Sequence, residues 1–360
     1  MHDARPPDPP EAGQLVALDQ ILDAADRLQG VTILTPLLPW LPDPAGRHRA
    51  WLKPESLQPT GAFKLRGAYN AIATLSPEHR RAGVVTHSSG NHAQGVARAA
   101  RLLGVRATIV MPSDAPAVKV ARVRADGAEI VVVGPSSDER LERAHALAEE
   151  RGLTLVAPYD DRAVIAGQGT CGLEIVEQVA ELDEIGGLRE PGGPTEAAGP
   201  LELTVLVPIG GGGLASGVAT AVKSLRPEAR VYGVEPELAA DARDSLRERR
   251  IVRWDPAQVG RTIADGQRAA SIGRLPFVHL RRYLDGVIAV GEVEIMRAMV
   301  RAAREARLVL EPSGATTLAA LLFHADELPE TGRVVCVLSG GNVDPERYAA
   351  LIAEGEAAGG

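Results

Sequence analysis

From residue 15 onward the apolar positions fall into two alternating patterns. LDQILDAADRL at 18–28 places its apolar residues three and four apart, the spacing of an amphipathic helix. Short apolar runs rich in β-branched residues follow: GVVTHS at 83–88, VRATIVM at 105–111, AEIVVVG at 128–134, LTVLVPI at 203–209, VYGVE at 231–235 and RVVCVLS at 333–339. Continuous apolar runs of this length suit parallel strands covered on both faces. Between them, 91–103, 116–125, 137–151, 161–181, 213–225, 292–306 and 314–326 read as helices long enough to cross from one parallel strand to the next. The alternation predicts an α/β fold with an open, largely parallel sheet.

At 360 residues the chain exceeds what one core comfortably holds, so two lobes are expected. The smaller, taken as mobile, spans 82–155, and the larger combines 15–81 with 156–352. The Pro-rich segment 1–14 is expected to be disordered, and the Gly/Ala-rich tail 353–360 to fray. GGLREPGGPTEAAGP at 186–200 lacks periodicity and reads as a surface loop. No run approaches the roughly 20 apolar residues of a spanning helix, and the start lacks the apolar core of a secretory leader. Lys and Arg number 39 against 47 Asp and Glu, a net charge of −8, which argues against a nucleic-acid partner. The two cysteines, Cys171 and Cys336, have neither disulfide-framework nor metal spacing, so a cytoplasmic protein is expected.

Composition matters most through what is scarce: there are four lysines, Lys53, Lys64, Lys119 and Lys223. Lys64 lies in KPESLQPTGAFKLRGAYNAI, where a Pro and Thr-Gly turn runs into a helical pattern. A lysine that attacks an aldehyde must be neutral, and both burial and a helix N-terminus lower its pKa from about 10.4. A first-turn lysine is ordinarily solvated. Here the neighbours are Phe63, Leu65 and Gly67 rather than charges.

Three strand-to-helix loops could surround such a lysine. Gly210, Gly211, Gly212 and Gly213 offer bare backbone N–H groups at a helix start, a place for phosphate. Gly210, Gly212 and Ala215 also satisfy G-x-G-x-x-A, with Glu235 ending a strand 20 residues on from Ala215, so a dinucleotide-binding module stands as a remote rival. Ser88, Ser89, Gly90, Asn91 and His92 gather polar groups at a second helix start, suited to a carboxylate or phenolate oxygen. Ser339 to Asn342 follow a third strand, where a hydroxyl can reach a ring nitrogen.

Together PTGAFKLRGA, SSGNHAQG, PIGGGG, EPSGA at 311–315 and LSGGNVD resemble the serine/threonine dehydratase and serine racemase group of fold-type II (tryptophan synthase β-like) pyridoxal-phosphate enzymes, in order and spacing over roughly 15–352. The resemblance implies a two-lobed parallel-sheet fold, pyridoxal 5'-phosphate as cofactor and a homodimer. It makes Lys64 the Schiff-base lysine, Phe63 and Asn91 contacts to the ring, Gly210–Gly213 the phosphate cradle and Ser339 the partner of the pyridine nitrogen. Ser88, Asn91, His92 and Arg140 become substrate contacts. Ser89 becomes an acid/base on the face opposite Lys64, a feature of the racemases. Glu235, the carbonyl of Ala239 and Asp241 match a divalent-cation site for magnesium, manganese or calcium. SIG at 271–273 matches a substrate loop, although ADGQRAASIG is one residue longer than the pattern. The chain ends soon after SGGNVD, so no C-terminal amino-acid-sensing domain is expected. A hydroxyl cannot hold the pyridine protonated as a carboxylate would, which favours loss of a β-substituent. The implied activity is deamination of L-threonine or L-serine to a 2-oxo acid and ammonia, with racemisation and 3-hydroxyaspartate dehydration as alternatives.

Overall fold

The computed structural model describes residues 15–40, 48–88, 90–115, 117–134, 137–184, 202–329 and 332–359. Its strands are β1 Leu38–Trp40, β2 His48–Pro54, β3 Val84–His87, β4 Ala107–Pro112, β5 Glu129–Val133, β6 Thr154–Leu155, β7 Leu203–Pro208, β8 Arg230–Pro236, β9 Gly286–Val290 and β10 Gly332–Leu338. All six apolar runs of the sequence are strands, with ends displaced by a residue or two. They are divided between two sheets, a six-stranded one ordered β1-β2-β10-β7-β8-β9 and a four-stranded one ordered β5-β4-β3-β6. Every pairing is parallel except β1 with β2.

Strand alternation explains the runs. In β10, Val334 and Cys336 enter a core with Leu52, Leu206, Val234 and Ile288, closed by helices Glu292–Arg301 and Pro312–Phe323. Val335 and Val337 point the other way, to Trp51, Val205, Val207 and the helices Arg162–Glu184 and Gly213–Leu225. With both faces covered, apolar residues dominate at successive positions. The four-stranded sheet repeats the scheme: Val84, Ile109 and Met111 face one cluster, Val85 and Val110 another.

Helix Arg162–Glu184 lies between helix Lys64–Ala73 and helix Gly213–Leu225 at glycine contacts. A Cβ on Gly167 would sit 2.5 Å from the Arg66 carbonyl and 2.7 Å from Cα of Gly67. On the opposite side Gly217 meets the Ile165 carbonyl as closely. Backbones can approach this far only where side chains are missing, and the result fixes the Lys64 helix and the glycine-loop helix against two sides of the same helix.

Other boundaries differ from expectation. Helix Pro345–Ala357, capped by Asp344, extends into the segment expected to fray and packs at Gly355 against the backbone of Met296. The helix expected at 292–306 is regular over Glu292–Arg301, then widens into a π turn at Ala302–Ala306 that stops at Arg307 in a left-handed conformation (φ 60°). Segments 1–14 and 186–200 lie outside the described residues. Among the described residues no helix is long and apolar enough to cross a membrane.

Candidate active site

Parallel strands deliver their following loops to one edge of each sheet. β3 leads into Ser88–His92, β7 into Gly210–Gly213 and β10 into Ser339–Asn342. The loop before Lys64 is laced to the last of these: the Phe63 amide donates to the Ser339 carbonyl (3.1 Å) and the Gly341 amide to the Gly61 carbonyl (2.9 Å).

Lys64 is the first residue of helix Lys64–Ala73. Its Nζ donates to the Pro158 carbonyl at 2.7 Å and lies 5.1 Å from the centre of the Phe63 ring. Burial pushes its pKa down to about 8, because the ammonium loses hydration without gaining a carboxylate. The other three lysines are ion-paired, Lys53 to Glu174 (2.6 Å), Lys119 to Asp265 (2.9 Å) and Lys223 to Asp285 (2.7 Å). Among the described residues Lys64 has no such partner.

The glycine loop is as tight as a phosphate cradle requires. Gly212 adopts φ 94°, and a Cβ there would meet Pro276 at 2.7 Å. A Cβ on Gly211 would overlap the ring of Tyr159, and one on Gly210 would lie 2.9 Å from the Gly266 carbonyl. The neighbouring Gln267 side chain ties the carbonyls of Ile209 and Val234 (2.8 and 2.9 Å), stiffening the strand ends beneath the loop. The dinucleotide reading loses its acidic residue. Glu235 is fully buried and accepts from the amides of Ala242 (3.0 Å) and Arg243 (2.8 Å), capping helix Asp241–Glu248 instead of facing a ribose.

At the second loop Asn91 opens helix Asn91–Leu103. Its Nδ2 donates to Oε1 of Glu311 (2.6 Å) and its Oδ1 accepts from Nδ2 of Asn342 (2.9 Å). Ser88 Oγ accepts from the Gly90 amide at 3.1 Å. His92 is buried, with Nε2 3.0 Å from the Val156 carbonyl; burial and then the nearby Lys64 charge take its pKa to about 3, so it is neutral. Ser89 lies outside the described residues. Ser339 is buried, its Oγ 3.3 Å from the Ser313 carbonyl. Arg140, on helix Ser137–Arg151, stands near His87 at the end of β3. Burial first, then the charges of Arg140 and His145, bring His87 to about 4.

Sequence reasoning gave no role to Tyr159, Glu311 or Asn342. Glu311 is buried, and that burial with the charge of Asp265 raises its pKa to about 8. EPSGA contains it, yet nothing local distinguishes it from a helix-capping acid. Of the expected cation ligands, Glu235 and Asp241 are both buried, and Asp241 Oδ2 makes no hydrogen bond among the described residues. Burial first, then the charge of Asp241, raises the pKa of Glu235, while burial with the charge of Asp244 raises that of Asp241 to about 7. Among the described residues no group of three or more His, Cys, Asp or Glu side chains is placed to hold a metal ion.

The family described as "Pyridoxal-phosphate dependent enzyme" matches residues 28–340. The chain is 40% identical to an L-threo-3-hydroxyaspartate ammonia-lyase of Saccharomyces cerevisiae over 92% of its own length and 95% of that protein's. It is 42% identical to an L-threonine ammonia-lyase of Thermotoga maritima over 85% of its length and 70% of that protein's. Among solved structures, maize serine racemase superposes with a TM-score of 0.82 at 36% identity, covering 95% of this chain and 98% of the other.

Proposed function

The chain belongs to the pyridoxal-phosphate dependent enzymes, and from that premise we propose that it eliminates the β-hydroxyl and amino groups of L-threonine or L-serine, giving a 2-oxo acid and ammonia. The observation that carries this reading is the isolation of Lys64: a half-buried amine with a pKa near 8 that, among the described residues, has no carboxylate partner while the other three lysines do.

The residues present fit the cofactor. Gly210–Gly213 form a cradle that any Cβ would obstruct, at the N-terminus of helix Gly213–Leu225, where backbone N–H groups and the helix dipole favour a phosphate dianion. Bound there, pyridoxal phosphate supplies an aldehyde carbon and a conjugated ring that accepts electron density from the substrate α-carbon. Lys64, neutral in about half of the molecules near pH 8, would hold the cofactor through Nζ and could take and return a proton at the substrate α-carbon. The Pro158 carbonyl accepts from Nζ and so aims it into the cleft. Ser339 would present a hydroxyl rather than a charge to the ring nitrogen, and the Asn91 amide would lie at the ring's edge. The Tyr159 ring, packed where a Cβ on Gly211 would lie, keeps that position to glycine.

Purified protein given pyridoxal phosphate is expected to show visible absorption that borohydride removes and that Lys64→Ala lacks, and to form 2-oxobutanoate from L-threonine. A colourless protein that binds NAD instead would sink the reading. A second substrate, 3-hydroxyaspartate, is favoured by the Arg140 charge near His87 at the end of β3, which suits an extra carboxylate. A higher kcat/KM for it than for L-threonine, reversed in Arg140→Ala, is the expected outcome if Arg140 reads that group. Racemisation through Ser89 is tested by the enantiomeric excess of L-serine in deuterated buffer, with loss expected in Ser89→Ala.

The proposal extends to a divalent cation between Glu235, the Ala239 carbonyl and Asp241. Two buried carboxylates with one unpartnered oxygen, Asp241 Oδ2, fit a hard cation. Chelation should then lower the thermal midpoint in wild type but not in Asp241→Asn. A cytoplasmic homodimer completes the reading, its stoichiometry measurable by sedimentation.

A further inference from the structure

Helix Ala117–Ala125 follows β4 of the four-stranded sheet, yet two of its side chains, one turn apart, bind residues attached to the six-stranded sheet. Lys119 Nζ meets Asp265 Oδ2 at 2.9 Å. Arg122 donates from a terminal guanidinium nitrogen to Oδ1 of Asn342 at 2.5 Å.

Asn342 joins these contacts to the cofactor loops. It is buried, and its Nδ2 donates both to the Thr60 carbonyl (2.7 Å), four residues before Lys64, and to Oδ1 of Asn91 (2.9 Å). Asn91 in turn donates from Nδ2 to Glu311 (2.6 Å). The chain of donors therefore runs Arg122 to Asn342 to Asn91 to Glu311, crossing between the two sheet units three times. Its direction is set around Asn342 by Arg122, whose guanidinium only donates, together with the Thr60 carbonyl, which only accepts. Reversing the Asn342 amide would turn its oxygen toward two acceptors, the Thr60 carbonyl and Asn91 Oδ1, and its NH2 toward Arg122. Without Arg122, Oδ1 of Asn342 is a buried acceptor with no donor from this chain of bonds, and the amide order of both asparagines is less strongly determined. Gly61 leaves room for this arrangement, since a Cβ there would overlap the Asn342 carboxamide.

We propose that Arg122 is a positioning residue for the proposed lyase: through Asn342 it fixes the orientation of the Asn91 carboxamide and holds helix Ala117–Ala125 against the cofactor loops. The Lys119–Asp265 pair is a second joint on the same helix face, so loss of Arg122 loosens the site without detaching the helix. This assignment rests on the reading of the Lys64 cleft as a pyridoxal-phosphate site.

The test compares Arg122→Ala, Arg122→Lys and, as a control on the same helix, Arg124→Ala, in the holoenzyme. Arg122→Ala should lower kcat/KM for L-threonine about tenfold, the effect of losing one charge-assisted hydrogen bond, while Arg124→Ala matches wild type. Arg122→Lys, which keeps a charged donor, should recover part of the loss. Amide hydrogen exchange of residues 91–94 should accelerate in Arg122→Ala, in the apo-protein as well as the holoenzyme. Unchanged kcat/KM with unchanged exchange at 91–94 overturns the proposal. So does a loss that simply tracks a lowered melting temperature and is not relieved by lysine. A wild type that neither takes up pyridoxal phosphate nor turns over L-threonine overturns the underlying reading, while the apo-protein exchange comparison still decides the role of Arg122.

Discussion

Lys53 and Lys64 lie eleven residues apart, both turned inward, in opposite company. Lys53 Nζ is surrounded by Oε2 of Glu174 (2.6 Å), the Thr35 carbonyl (2.7 Å) and Oε1 of Gln178 (2.9 Å). Beside it the buried Arg66 guanidinium is forked onto Glu55 (2.7 and 2.9 Å) and Glu174 (2.6 and 2.9 Å), with Thr170 taking its remaining donor direction at 3.0 Å. Two cations and two anions are thus neutralised in one hydrogen-bonded knot beneath helix Lys64–Ala73. Lys64 has a single carbonyl. A buried charge survives when it is paired, and an amine that loses water without gaining a pair gives up its proton at a lower pH. The first arrangement makes a structural base for the helix; the second suits the nucleophile proposed at its tip.

The largest effect that would break this contrast is on turnover. Lys64→Ala should reduce 2-oxo acid formation by about 10³-fold or more with retained secondary structure by circular dichroism, the loss expected of the acting nucleophile and base. On the other side, Glu174→Gln leaves Lys53 and Arg66 short of an anion and should cost about 3–5 kcal/mol of stability, read from the urea midpoint. Turnover in the surviving folded fraction should fall far less than in Lys64→Ala. Equal behaviour of the two variants in both assays would erase the distinction.

A pH experiment sharpens the comparison at smaller amplitude. The amine attacks only when neutral, so the rate at which apo-protein captures pyridoxal phosphate should rise about tenfold per pH unit and level off above about 8. A midpoint near the ordinary lysine value would show that burial does not act on Nζ. The smallest effect is on the stability of the apo-protein. Between pH 8 and the ordinary lysine pKa the unfolded state holds a proton that the folded state has lost, so Lys64 contributes stability that grows as pH rises across that window. Lys64→Met should flatten this component while Lys53 remains in place, a difference visible in paired thermal scans.

Legibility in the sequence followed how local each cause was. Helices 91–103 and 213–225 stand where glycine-rich turns and apolar runs place them, because both the stop of a strand and the start of a helix are written in neighbouring residues. β2 was not readable: HRAWLKP mixes charge with apolar residues, and its lysine is buried only because Glu174, distant in sequence, comes to meet it. Its neighbour Trp51 is likewise covered by the guanidinium of Arg333, 5.3 Å from the ring centre. At the end of the chain, too, the close approach of Gly355 to the Met296 backbone joins residues far apart in sequence.

By itself the sequence determined the alternating α/β order and the three glycine-bearing loops that follow strands, and its motifs singled out Lys64 through their resemblance to a family, because glycine freedom, strand periodicity and helix starts are short-range properties. Only the tertiary structure decided which charges are neutralised and which are left alone. That Lys53 is paired and Lys64 is not, that Glu235 caps a helix, and that Asn342 connects Arg122 to Asn91 all depend on groups brought together from distant parts of the chain, and electrostatic energy depends on distance in space, not on separation along the sequence.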